Sequence, residues 1–301
     1  MKKIALIHPG LAYAPEIGIY KHFLKQEGYF VETFNVAMES ELTGFDVEWH
    51  FMGIDFKSRR SERLKIHEYV SLSIPPFSKM KDQLKKFINS KPDLRIFGSK
   101  FIESQLGFKD AIPRCYRDAG VSPDFFQKPQ KNKPEFDFVY AGSTDKSRNI
   151  EHLLTFFVEN MQNNRLLVIG VPPKSVSKRV LQHPAITFTG KVPYETVPDY
   201  LQKARFGINY IPDKYPYNQQ RPLKLLEYCA AGLPVLTTEY AWVKQFEKEA
   251  NANFFKLAPD LGNLKMNNVE GFEFRIPDVT HLTWNEVISQ SGLLTFLKLN
   301  L

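Results

Sequence analysis

This sequence predicts an α/β fold in two domains, on three observations. Apolar runs of strand length alternate with segments of helical spacing, a stretch rich in proline, glycine and charge interrupts them, and the alternation then begins again. With 301 residues each half has room for its own core, and a hydrophobic fraction of 43% is that of a globular protein rather than a disordered one.

In the first half, Lys3 to His8 reads as a buried-type strand, Pro9 to Pro15 as a loop containing Gly10, and Ile17 to Glu27 as a helix stopped at Gly28. Phe30 to Asn35 is a second strand, which completes a βαβ opening. It lacks G-x-G-x-x-G, so a dinucleotide site of the dehydrogenase kind is not supported. Phe45 to Met52 and Leu64 to Tyr69 follow as strands, with His50 and His67 near their ends, where an imidazole can be structural or can donate to a sugar hydroxyl or phosphate. Met80 to Asn89 reads as a basic helix, Leu94 to Ser99 as a strand and Lys100 to Leu106 as the start of another helix. Gly107 to Phe136 is the interrupting stretch, and the domain boundary is expected near Lys133.

In the second half, Phe136 to Ala141 is a strand, Gly142 to Asn149 a polar loop and Ile150 to Asn160 a helix. Arg165 to Gly170 and Ile186 to Gly190 are strands, Val197 to Lys203 is helical, and Phe206 to Ile211 leads into the segment with the most information. There, Pro222 suits a first helical position, because its missing N–H would be unpaired anyway. Leu223, Leu225, Leu226, Cys229 and Ala230 give a buried side, Gly232 supplies a left-handed stop, and Pro234 to Thr238 is a short strand. Glu227 has two open readings: a surface ion pair with Lys224 at i, i+3, or an acceptor for ribose hydroxyls one turn below a helix N-terminus. Trp284 to Leu297 closes the chain as a helix.

A formal net charge of +7 points to an acidic partner. Lys57, Arg59, Arg60, Arg63 and Lys65, then Lys79, Lys81, Lys85 and Lys86, cluster in the first half, and both a solvated surface and an anionic contact stay open for them. Nucleic acid is disfavoured, because no zinc-ligand spacing, RNP-like aromatic motif or recognisable helix-turn-helix accompanies the charge. Anionic lipid headgroups or a pyrophosphate-linked acceptor fit better. Cys115 and Cys229 stand far apart without metal-type spacing, as expected of a reduced, cytoplasmic setting. The start MKKIALIHPG has the positive residues of a signal peptide, but its apolar run is too short for one, and no segment approaches the roughly 20 apolar residues that span a bilayer.

The spelling P-x-K-x-x-E-Y-x-A-x-G-x-P-V, from Pro222 to Val235, closely resembles the donor-binding signature of family 4 glycosyltransferases. The resemblance is strong over residues 136 to 240 and looser over residues 1 to 130. It implies the GT-B fold, two Rossmann-like domains facing each other across a cleft: residues 1–133 for the acceptor, 134–280 for the nucleotide sugar, and 281–301 as a C-terminal helix returning to the first domain. It implies that Glu227 grips the donor ribose, with Gln220, Arg221, Leu223 and Lys224 beside it. A second family glutamate corresponds to Gln219, whose amide can hydrogen-bond a sugar but carries no charge. The family loop G-R-x-x-x-x-K-G corresponds to Gly142 to Asn149. Ser143 replaces its arginine, Arg148 falls at its lysine, and Lys146 is a substitute cation. By the same resemblance Gly190, Lys191 and Val192 read the base, and Gly10 and Gly18 map to the glycine-containing loop that faces the donor phosphates and the acceptor, with a packing glycine at a helix start an equal reading of Gly18. His67 is the better match to a histidine near the transferred sugar, and His50 the weaker.

The implied reaction moves a hexose-type sugar from a nucleotide diphosphate sugar, UDP-sugar foremost, to a glycan or polyprenyl-pyrophosphate-linked acceptor. Retention, the leaving phosphate as proton acceptor, no cofactor and no metal belong to the same implication, as does bacterial surface-polysaccharide synthesis at the inner face of the cell membrane. An association with an anionic membrane remains open. So do an inverting GT-B transferase with Glu16, Asp55 or Glu68 as base, a degenerate GT-B subunit that binds a nucleotide sugar or a partner transferase, and a hydrolase or epimerase on the same fold.

Overall fold

The structure, a computed structural model, describes residues 1–10, 15–36, 42–51, 55, 63–73, 77–126, 133–219 and 221–301. Two compact units divide it: Met1–Gly120 together with Trp284–Leu301, and Val121–Thr283. The first unit begins β1 (Lys3–His8), α1 (Pro15–Gln26), β2 (Phe30–Asn35), β3 (Val47–Phe51), β4 (Leu64–Tyr69), α2 (Ser78–Ile88), β5 (Leu94–Phe97), α3 (Lys100–Leu106) and β6 (Arg114–Tyr116). The second contains β7 (Phe136–Ala141), α4 (Ile150–Asn160), β8 (Leu166–Ile169), α5 (Lys178–Leu181), β9 (Ile186–Phe188), α6 (Val197–Leu201), β10 (Ala204–Asn209), α7 (Leu223–Ala230), β11 (Val235–Thr238), α8 (Ala241–Ala250), β12 (Phe255–Leu257) and α9 (Met266–Glu270). The first unit is completed by α10 (Trp284–Gln290) and α11 (Leu293–Asn300).

Each unit holds a six-stranded parallel sheet, ordered β2-β1-β3-β4-β5-β6 in the first and β12-β11-β10-β7-β8-β9 in the second. Parallel strands need crossovers, and helices supply them between β1 and β2, from β4 to β6 and throughout the second unit, so strands covered on both faces read as near-continuous apolar runs. Strand order reverses between β1 and β3 in one sheet and between β7 and β10 in the other. Such reversals open a crevice at the carboxyl ends of the strands, where ligands of α/β folds bind.

The period of two decides what each strand buries. In β3, Val47 and Trp49 join Ile4, Leu6, Ile66 and Ile96 in one apolar core, while Glu48 and His50 fall on the opposite face. Glu68 enters the apolar side and is met there by the Arg117 guanidinium, the Trp49 indole N–H at 2.9 Å and the Tyr20 hydroxyl at 3.4 Å. Arg117 also lies 5.1 Å from the Trp284 ring, so this buried pair sits against the first turn of α10. Ile288, Leu293 and Leu297 then pack into the same core.

In the second unit, α7 adds Leu225, Leu226 and Cys229 to the core on one face of the sheet, and α4 adds Leu153 and Phe157 to the other. Gly207 in β10 allows the first contact. A Cβ there would stand 2.6 Å from Cδ2 of Tyr228, so only glycine lets the α7 ring lie flat on the strand.

Several details differ from the sequence expectation. The stretch Gly107 to Phe136 contains a sheet strand, β6, which buries Cys115 against β5. Val121 and Phe125 are already part of the second unit's core, so the units divide at Gly120 rather than near Lys133. The closing helix is two helices, parted at Gly292 with φ 83°. Pro222 precedes α7 in an extended conformation, φ −86° and ψ 112°, and Leu223 is the first helical residue. Gly232 does take the left-handed stop, at φ 70°.

Candidate functional site

The carboxyl ends of β7, β9 and β10 carry the residues that the signature singles out. Tyr228 ties them together: its hydroxyl accepts the Ala141 N–H at 2.8 Å and donates to the Ile208 carbonyl at 3.4 Å, which fixes α7 against the last residues of β7 and β10. One residue earlier on α7, Glu227 is only 5% exposed and accepts the Tyr194 hydroxyl at 2.7 Å. Burial raises its carboxyl to about 7, against the lowering by the Tyr194 hydrogen bond and by Lys224.

Lys224 does not pair with Glu227. Its ammonium lies 3.8 Å from the centre of the Tyr140 ring, and a Cβ on Gly142 would stand 3.3 Å from Nζ. Gly142 has φ 131°, so glycine is needed there for backbone as well as for space. Burial pushes the Lys224 ammonium well below the ordinary lysine range, and the nearby Arg148 guanidinium adds to this while Glu227 opposes it. Glu227 and Lys224 are thus both pushed toward their neutral forms. The surface ion pair expected as one reading of Glu227 is not what the structure shows.

Arg148 closes the 3₁₀ turn Lys146–Arg148, with its guanidinium 4.2 Å from the Tyr217 ring centre. The loop before it is fastened from within. The Tyr140 hydroxyl donates to the Ser143 carbonyl at 2.8 Å, and the Ser143 hydroxyl donates to Asp145 at 2.6 Å. Ser143 therefore holds its own loop, in the position where the related signature has a cation. Lys146 is exposed.

Gly190, with φ 73°, Lys191 and Val192 lie in the loop after β9, and Lys191 is exposed while Val192 packs on the core. Two residues on, Tyr194 makes the contact to Glu227, so this loop and α7 meet directly. Gln219 is half-buried in the 3₁₀ turn Tyr217–Gln219, and the Arg221 guanidinium lies 5.5 Å from the Trp242 ring centre. Leu223 is half-buried at the helix start. Gln220 lies outside the described residues, as do Lys57, Arg59 and Arg60.

In the first unit, Gly10 has φ 70° and donates its N–H to Nδ1 of His8 at 3.1 Å. Gly18 lies inside α1 with open space at its Cβ position, so packing does not demand a glycine there. His67 sits in mid-strand and is 3% exposed. Its Nε2 is 3.1 Å from Asp55, which as a carboxylate can only accept, so Nε2 carries the proton and Nδ1 accepts the Tyr69 hydroxyl at 3.2 Å. Burial would raise the Asp55 carboxyl, but hydrogen bonds from His67, Lys65 and Ser90 hold it well below the usual range. Burial lowers the His67 imidazole. With both nitrogens engaged, His67 belongs to a buried polar cluster, and in this arrangement neither nitrogen is presented to a sugar. Glu68, a candidate base, is likewise committed to Arg117, and Asp55 to this cluster.

Sequence reasoning missed Tyr140, Tyr194 and Tyr217, the rings and the hydroxyl that hold Lys224, Glu227 and Arg148. The available signal was position alone: Tyr140 stands one residue before the end of β7, and Tyr194 and Tyr217 lie in the segments that follow β9 and β10.

Two units of this kind, each a parallel sheet with its strand order reversed beside the first strand, have the GT-B fold. Within that class, residues 135–260 match the family model of Glycosyl transferases group 1. No curated protein matches in sequence. Among solved structures, the chain is similar to the sucrose-phosphate synthase of Thermosynechococcus elongatus, at 14% identity and TM-score 0.65, with 99% of each chain covered. It is similar to Anabaena HepE, in complex with UDP and glucose, at 11% identity and TM-score 0.63 over 100% of each chain. The UDP-GlcNAc 2-epimerase of Methanocaldococcus jannaschii, in complex with UDP-GlcNAc and UDP, aligns over 98% of this chain and 100% of its own, at 11% identity and TM-score 0.54. Identities this low carry the fold. No helix among the described residues is long and apolar enough to cross a membrane.

Proposed function

We propose that the chain transfers a hexose-type sugar from a nucleoside diphosphate sugar, with UDP as the leading nucleotide, to a glycan or polyprenyl-pyrophosphate-linked acceptor. The observation that carries this is the convergence of Arg148, Lys224, the Gly142 loop and Glu227 where β7 and β10 end. Two cations beside a glycine without a Cβ suit a diphosphate, and a buried carboxylate one turn along the helix suits ribose hydroxyls. A bound diphosphate favours the charged form of Lys224 that burial disfavours, so donor binding strengthens the electrostatics of the site.

In the reaction, the bond from the anomeric carbon to the diphosphate oxygen breaks and a bond to the acceptor oxygen forms, through an oxocarbenium-like state. Negative charge builds on the leaving diphosphate, and we assign its stabilisation to Arg148, Lys224 and the amides at the start of α7, without a metal. The acceptor proton passes to the leaving phosphate, with retention at the anomeric carbon. HepE with UDP and glucose, and the epimerase with UDP-GlcNAc, support uracil as the base. We place the reaction in bacterial surface-polysaccharide synthesis at the cytoplasmic face of the membrane, a setting that agrees with two free, buried cysteines.

A thermal-shift series with UDP, GDP, dTDP, ADP and CMP, with and without magnesium, on wild type and Arg148→Ala tests this. A ligand at 100 times its dissociation constant stabilises by about 2.7 kcal/mol. UDP should stabilise wild type without magnesium and lose most of that effect in the variant. No shift from any nucleotide would sink the donor site and favour the degenerate subunit, for which the self-bonded Ser143 is the supporting feature.

A further inference from the structure

Helix α2 is built inside out. Its buried residues are Asp82 and Lys85, while Phe77, Met80, Leu84 and Phe87 are 71%, 61%, 50% and 82% exposed. Asp82 accepts the Ser73 N–H with both oxygens, at 3.1 and 3.2 Å, and takes the Lys85 ammonium at 3.2 Å. The polar side is thus the anchor. Steps of three, four and three residues line up the four apolar side chains along one stripe that faces away from the core. Phe77, just before the helix, holds a left-handed conformation at φ 59°, which keeps its ring in the same solvent-facing row.

Isolated exposed apolar residues are ordinary, but a row of three on one short helix and a fourth just before it mark a contact surface. The charge around it selects the partner. Residues 77–91 contain five lysines, Lys79, Lys81, Lys85, Lys86 and Lys91, and a single acid, Asp82. Lys79, Lys81 and Lys91 are exposed and Lys86 is half-buried. A two-fold contact between copies would set these lysines against each other, whereas an anionic bilayer takes the apolar stripe into its acyl boundary and the ammonium groups at its phosphates.

We propose that α2, with Phe77, is a membrane-docking face that seats the protein on an anionic lipid surface. This deepens the transferase reading, because it supplies the surface at which a lipid-linked acceptor is met, but lipid binding itself needs no donor chemistry. The test is sedimentation of the full chain with vesicles of phosphatidylglycerol and phosphatidylcholine in equal parts, against vesicles of phosphatidylcholine alone. Wild type should partition onto the anionic vesicles and lose that affinity as salt rises. Leu84→Glu with Phe87→Glu, and separately Lys79→Glu with Lys91→Glu, should each weaken partitioning by about tenfold or more. These positions are exposed, so circular dichroism and the thermal shift with UDP should match wild type, which separates failure of docking from failure of the donor site. Equal binding to both vesicle types, or binding unchanged in Leu84→Glu/Phe87→Glu, would overturn the proposal. So would a dimer in light scattering that the same variant dissolves, without vesicle binding, which would assign the stripe to a second copy.

Discussion

Replacing Glu227 with glutamine should make the protein more stable at neutral pH and no more stable in acid. The carboxyl is raised from 4.5 to about 7, chiefly by burial. Between those values the folded chain holds a proton that the unfolded chain has released, so folded stability is full below the unfolded value and falls as pH rises through the folded one. At 1.36 kcal/mol per unit, the loss from pH 4 to pH 8 is on the order of 3 kcal/mol. Glu227→Gln keeps the shape and an acceptor for the Tyr194 hydroxyl but does not titrate. Its unfolding free energy should therefore equal that of wild type near pH 4 and exceed it by up to about 3 kcal/mol at pH 8.

Urea denaturation of both proteins from pH 4 to pH 9 measures this. The difference between the curves isolates Glu227, because Lys224, whose ammonium is depressed by burial, titrates with the opposite slope and is present in both. The same variant should bind UDP more weakly at pH 8, where wild type offers a full carboxylate to the ribose. Parallel stability curves would refute the reasoning, since they would mean that Glu227 is ionised in the folded protein throughout. A variant that is more stable but binds UDP equally well would keep the burial argument and remove the ribose role.

Tyr194→Phe removes the hydrogen bond that lowers the Glu227 carboxyl, so the pH midpoint of UDP binding should move upward, as read by calorimetric titration at several pH values. Gly207→Ala forces a methyl to 2.6 Å from the buried Tyr228 ring and should cost about 1–3 kcal/mol in a denaturation series, and an unchanged midpoint would show that α7 can lift off the strand freely. Arg117→Met leaves Glu68 buried without its partner and should cost about 3–5 kcal/mol, whereas Arg117→Met with Glu68→Gln should recover much of the loss. If the double variant is no better than the single one, the pair is not what holds that site.

Much of the fold was readable because parallel strands buried on both faces are continuous apolar runs. β1, β2, β4, β7 and α4 occupy the residues that the pattern gives them. β6 escaped because Arg114–Tyr116 has one buried residue between two exposed ones, too short a signal inside a stretch dominated by proline and charge. The placing of Lys224 and Glu227 was readable for a different reason: both lie on α7, between Pro222 and Gly232, so local spacing sets them together without any long-range information. His67 shows the opposite case. Its identity is visible in the sequence, but its role depends on which face of β4 it occupies and on Asp55 arriving from a different segment, and one step along a strand exchanges the faces. Lys65, His67 and Tyr69 lie on the side of the sheet that Asp55, Ser90 and Asn89 cover, so the imidazole that a strand-end reading would offer to a substrate serves to bridge β4 to the chain before it and to Tyr69. Spacing along one helix can be read as chemistry, whereas spacing along one strand becomes chemistry only once the neighbours on that face are known.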